Sequence, residues 1–199
     1  MGKFNPQDKS SSGPSIGNPT PGVVPARVAR VIEVGEHETR WGVKDLLYIY
    51  YSLPTRLIDA PGSDFDGKQH MVRTAPLRKS SSDKASLMTD HINILKPDAQ
   101  ELGELLNQPC FATIDNNDVQ SGNEVRTYTN IIQISGVPEG VVVGELDTPQ
   151  FYFSYDEPNE DIWNDMLWDR IREQIKSALN YQGSAVEEMV LRLEAMNQA

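Results

Sequence analysis

The chain is short of the residues on which most enzyme and metal chemistry rests. It has one cysteine, Cys110, and three histidines, His37, His70 and His91, among 199 residues. A lone cysteine closes no internal disulfide and completes no cysteine zinc cluster, so a disulfide scaffold and a zinc finger are both excluded. Cys110 reads as a small buried apolar side chain, and the scattered histidines, which lack metal-ligand spacing, read as ordinary strand or surface residues. The phosphate loop GxxxxGK[ST], a GxGxxG behind a strand, GxSxG, HExxH and CxxC are all missing. Asp156, Glu157, Glu160 and Asp161 have no basic or histidine partner to make them a two-metal centre and read as a solvated acidic stretch. Asp64 and Asp66 read as turn residues, because the other ligands of a calcium loop are absent. The expectation is a protein that is no enzyme and carries neither cofactor nor metal.

Long hydrophobic runs are missing too. No stretch approaches the roughly 20 consecutive apolar residues of a membrane span, and MGKFNPQDKSSSG lacks the apolar centre of a signal peptide. A cytoplasmic protein without a membrane partner is expected. Positive charge is scarce: 18 Lys and Arg face 29 Asp and Glu, a net charge of −11. The deficit is concentrated in residues 141–199, which hold 12 acidic and 4 basic side chains. That excludes a surface coated in positive charge and leaves room for a local basic groove in the N-terminal part.

Residues 1–22 are rich in Ser, Gly, Pro and Asn and poor in large apolar side chains, so they predict a flexible tail. Five runs with strand character follow, at 23–34, 44–53, 68–74, 110–115 and 125–134, separated by turn chemistry such as Pro61-Gly62, Asp66-Gly67 and Ser121-Gly122-Asn123. Between the third and fourth, residues 80–107 offer a helix start in SSSDKAS and a short helical pattern after Pro97. Five strands with a helix between the third and fourth is the element order of an OB-fold, a mainly β Greek-key barrel that binds oligomers across strands two and three. An SH3-like barrel or a small sandwich has a similar strand count, and the order alone leaves these open. Beyond residue 140, residues 141–161 read as an acidic, aromatic linker. Residues 162–180 and 184–198 read as two amphipathic helices, the second opened by a capping box of Ser184 and Glu187. A barrel at 23–140 with a helical extension at 162–199 is predicted.

Single-stranded nucleic acid needs cations along its phosphates and aromatic faces under its bases, and the barrel segment offers both. Alternation in strand two sets Tyr48 and Tyr50 on the face opposite Leu47, Ile49 and Tyr51, with Trp41 and Lys44 just ahead of them. The tyrosines either stack on bases or pack beneath the C-terminal helices. Lys68, Arg73, Arg78, Lys79 and Lys84 stand against Asp83 alone between 68 and 84, a stretch that serves as a phosphate track or a solvated loop. Arg27 and Arg30 in strand one, Phe111 in strand four, and Arg126 and Tyr128 in strand five complete the candidate surface.

The residues also resemble a known family. Pro21, Gly22, Ala26 and Arg27 match a P-G-x-x-x-A-R opening, and Val31, Ile32 and Gly35 match the V-I-x-x-G after it. Leu105, Leu106, Pro109 and Cys110 match L-L-G-x-P-C, with Asn107 where the family has glycine, and Tyr128, Asn130 and Ile131 match Y-x-N-I. Over residues 21–140 the chain resembles bacteriophage single-stranded DNA-binding proteins with an OB-fold. The resemblance implies a protein that coats single-stranded DNA without strong sequence preference during phage replication or recombination, in the host-cell cytoplasm and without catalysis. An acidic C-terminal region fits a docking surface for replication or recombination proteins. The other expectation, from a different class, is a structural or assembly protein of the phage particle that uses the barrel and acidic helices for protein contacts. Oligomeric state is not legible from the sequence.

Overall fold

In the computed structural model, residues 17–121 and 124–197 are described. Most of the predicted tail, residues 1–16, lies outside the described residues. Its end does not hang free: the Asn18 side-chain amide donates to the Thr127 carbonyl at 3.1 Å, and the Asn116 amide donates to the Pro19 carbonyl at 3.0 Å.

The five predicted strands are present and most are longer than expected: β1 (Gly22–Thr39), β2 (Gly42–Leu57), β3 (Gln69–Arg73), β5 (Pro109–Ser121) and β6 (Glu124–Ser135). Two short strands join them, β4 (Leu77–Arg78) and β7 (Phe151–Phe153). The hydrogen-bonded order is β3-β2-β1-β5-β6, antiparallel, with β4 added to β2 and β7 lying parallel to β1. The result is a mainly β fold, a nearly closed barrel-shaped sheet with a few helices. β3 and β6 approach each other across the remaining seam without a ladder between them.

Closure depends on β1 changing partners. Gly22 to Arg27 pair with β5, Arg27 to Thr39 pair with β2, and Arg30 to Ile32 also take β7 on the side that β5 has left. Register shifts at Val28/Arg30 and Glu33/Gly35 bend the strand, the usual effect of a bulge. The inward rows of β1, β2 and β5 fill the barrel with Val24, Val28, Val31, Leu47, Ile49, Tyr51, Cys110 and Ala112. Cys110 is fully buried there, which pushes its thiol up to about 12. A π-helical turn, Met88–Ile92, leading into α1 (Asn93–Leu95), and a 3-10 turn, Leu102–Leu105, close one end of this core.

A second apolar cluster lies on the outside of the sheet and corrects the C-terminal expectations. Residues 141–161 are no linker: Phe151, Phe153 and Tyr155 are buried against Ile32 and Val34 of β1. The single helix predicted over 162–180 is broken into a π-helical turn, Ile162–Met166, and α2 (Asp169–Lys176), with Leu167 and Trp168 extended between them. Arg172 stabilises the break by donating to the Trp163 carbonyl at 3.1 Å, while Leu167 is buried. α3 (Ala185–Asn197) follows, and Ser184 accepts from the Glu187 amide as its cap. Ile171, Ile175, Val186 and Met189 of these helices complete the cluster over the outer face of β1 and β2.

Gly35 marks the tightest contact of the two layers. Its φ of +82° is left-handed, and a Cβ there would stand 2.6 Å from the Tyr155 ring and 2.8 Å from Ala178. Gly35→Ala therefore combines backbone strain with a clash, and is expected to lower unfolding free energy by about 2–4 kcal/mol. The shift in urea midpoint measures it; a shift under about 0.5 kcal/mol would show that the helical layer yields freely.

Candidate nucleic-acid interface

The outward row of β2 does not face solvent. Tyr48 and Tyr50, expected as base stackers, are 4% and 5% exposed and belong to the outer cluster. Trp168 and Tyr50 pack in a T-shaped pair with centroids 5.3 Å apart, Gln174 of α2 donates to the Tyr48 hydroxyl at 3.0 Å, and the Arg73 guanidinium lies 4.4 Å over the Tyr48 ring. Burial pushes the Tyr50 phenol up to about 12, with Arg73 partly opposing. Their apolar bodies and the facing helices explain the correction: this face is buried because the chain supplies its own cover.

Several expected phosphate contacts are likewise committed within the protein. Arg27 donates to the carbonyls of Asn107 at 2.9 Å, Val143 at 2.9 Å and Gly144 at 2.8 Å, and pairs with Glu145 at 3.4 Å. Arg30 sits over Phe151 and Trp168, 5.1 and 5.2 Å from their centroids, and donates to the Thr148 hydroxyl. Gln69 of β3 donates through its amide N–H to Asp147 and through its side chain to the Glu145 carbonyl, both at 2.7 Å. Residues 143–148 thus form a strap held to β1 by the two arginines and to β3 by Gln69, on the side of the sheet where a ligand was expected. Lys79 pairs with buried Glu33 at 3.0 Å and with Asp156 at 3.2 Å. Burial would lower the Lys79 pKa, but the hydrogen bonds and charges of those two carboxylates carry it above the ordinary value.

The remaining candidates are accessible. Trp41 is 69% exposed at the β1–β2 turn, with the Arg40 guanidinium 3.8 Å from its ring centroid and half-buried Lys44 close behind. Lys68 is exposed beside Phe65 on the β2–β3 loop. On the β5–β6 pair, Tyr128 and Arg126 are exposed, and Phe111 is half-buried opposite Ser135. Arg78 and Lys84 are exposed on the rim of an open groove of about 1000 Å³ beside the β3–β6 seam. One wall of the groove runs from Thr74 through Ser80 and Ser82 to Thr89, Asp90 and His91; the other is Ile131 to Ile134 of β6. Arg78 stands opposite Leu46 in register, two residues along β2 from Lys44.

Sequence reasoning missed the groove itself, the strap and the His91 contact. His91 is 6% exposed and shares a 2.8 Å hydrogen bond with the Tyr51 hydroxyl inside the barrel. Burial lowers its pKa from 6.5 to about 4, with Asp90 opposing, so it is neutral at physiological pH and offers the groove no charge. Among the described residues no group of three or more His, Cys, Asp or Glu side chains is placed to hold a metal ion, and no helix is long and apolar enough to cross a membrane.

Compared with protein-family models, curated proteins and solved structures, the chain matches none.

Two measurements check this geometry. Tyr50→Ala empties a buried aromatic site and is expected to cost about 3–5 kcal/mol of stability; an unchanged urea midpoint would show the face to be open. The depressed His91 pKa means that the unfolded chain binds the extra proton, so stability is full above pH 6.5 and is lost as pH falls towards 4, by about 3 kcal/mol. His91→Gln should flatten that part of the pH profile relative to the parent; parallel profiles would contradict the buried neutral imidazole.

Proposed function

We propose that the chain binds single-stranded DNA without strong sequence preference through an OB-type barrel, with the seam groove and the β1–β2 turn as its interface. The strand order supports the barrel type: leaving aside the two short strands, three antiparallel strands precede the helical segment and two follow it, as in an OB-fold. Asn107 adds to the family resemblance, because its φ of 62° lies in the left-handed region that glycine and asparagine adopt most readily. A phage replication or recombination role follows from that resemblance.

The observation that carries the reading is the groove. In a protein of net charge −11, Arg78 and Lys84 flank a concavity lined with hydroxyls, and affinity for an anion follows the local field in such a cleft. Trp41, exposed at the β1–β2 turn, supplies an aromatic ring for stacking. The acidic helices lie across the outer face of β1 and β2, where they repel phosphate and leave a surface for basic proteins of a replication complex. Exposed Val119, Val125 and Ile132 on the β5–β6 pair favour the second reading, a phage assembly protein working through protein contacts.

Fluorescence anisotropy of labelled oligothymidine and of a duplex of equal length, at two salt concentrations, separates the two. Salt-sensitive binding of the single strand alone is expected. Replacing Arg78 and Lys84 by Ala should reduce the slope of log affinity against log salt by about 2, and Trp41→Ala should weaken binding about tenfold at every salt concentration. Absence of single-strand binding at low salt would leave the assembly reading in place.

A further inference from the structure

β6 ends the sheet. One of its sides is paired with β5 from Glu124 to Ser135, and its other side, among the described residues, has no ladder to β3 or to any other strand. In an antiparallel pair, residues alternate between those that exchange both backbone bonds with the neighbour and those whose N–H and C=O point away from it. Every second residue of an edge strand therefore holds out a donor beside an acceptor, at a repeat of about 6.8 Å. Ile131 to Ile134 of that strand line the groove. The register shift at Thr113/Ile114 also leaves Ile132 opposite no β5 residue, which disturbs the ladder there and loosens its backbone groups from β5.

A donor beside an acceptor is what the Watson–Crick edge of every base presents: N3–H next to O4 in thymine, N6–H next to N1 in adenine, and the corresponding pairs in cytosine and guanine. We infer that the open edge of β6 in the seam groove pairs with the Watson–Crick edges of successive unstacked bases, while Arg78 and Lys84 on the facing rim hold the phosphates. The inference rests on the single-stranded DNA reading and supplies its selectivity. All four bases satisfy a backbone donor–acceptor pair, so sequence matters little. A duplex has already used those edges and is refused. The repeat along β6 is about twice the 3.4 Å spacing of nucleotides in a stacked strand, which requires the bases to be splayed apart as they enter. Selection of single strands then needs no aromatic platform on the sheet, consistent with Tyr48 and Tyr50 being buried under α2.

The test compares, with the full chain, three oligomers of equal length: oligothymidine, the same oligomer with N3-methylthymidine at alternate positions, and one with the difluorotoluene isostere of thymidine at those positions. Both modified oligomers keep their phosphates and a flat ring; the N3-methyl group removes the donor and blocks the edge, and the isostere removes the donor and the carbonyl acceptors alike. Each is expected to bind more weakly by about tenfold or more, with an unchanged salt slope. Equal binding of all three, or a loss with the methylated oligomer alone, would overturn base-edge pairing and leave the single-stranded DNA reading standing on phosphate contacts and stacking. Failure of unmodified oligothymidine to bind would overturn both.

Discussion

The arrangement of this molecule depends on one buried carboxylate. Glu33 of β1 is wholly inaccessible; it receives Lys79 at 3.0 Å, the Tyr152 hydroxyl at 2.7 Å and the Tyr155 amide at 2.9 Å. A charge removed from water is tolerated only when partners replace its hydration. The partners here come from the segment after β4 and from the chain in and after β7, so satisfying Glu33 draws both onto β1. Lys79 is thereby turned to the acid, and its neighbour Arg78 is left on the groove rim.

Once β7 is seated on β1, the rest of the C-terminal region has a fixed starting point. The strap 143–148 precedes it, fastened by Arg27, Arg30 and Gln69, and the helices that follow bury the outward side chains of β2. The acidic end of the chain is consequently a folded layer of the protein with an apolar core of its own. The outer face of β1 and β2 is built over by these helices, and the sheet stays open at the seam, where β3 and β6 fail to pair.

Much of the framework was legible in the sequence because strand and helix periodicities are local. The five main strands, the capped final helix and the burial of Cys110 follow from alternation, turn residues and Ser184 with Glu187. What lies on each face was harder to read, since a period of two says which side chains share a face and nothing about what covers it. The run LLYIYY in β2 did contain a signal: it is apolar on both faces, the pattern of a strand buried on both sides. The cations carried no comparable mark. Arg27, Arg30 and Lys79 are the same residue types as Arg78 and Lys84, and only the tertiary partners Gly144, Phe151 and Glu33 distinguish structural cations from available ones. β7 was missed because three residues are too few for a periodic signal, and the open edge of β6 is a property of the whole sheet.

Hydrogen–deuterium exchange with and without oligothymidine tests most directly whether the seam is the binding surface. The account predicts slowed exchange at the amides of residues 131–134 and 78–86, with no change over 143–155. Protection absent from β6, or faster exchange across 143–155 as the strap lifts from Arg27 and Gln69, would contradict it and return the ligand to the outer face of β2 and β3.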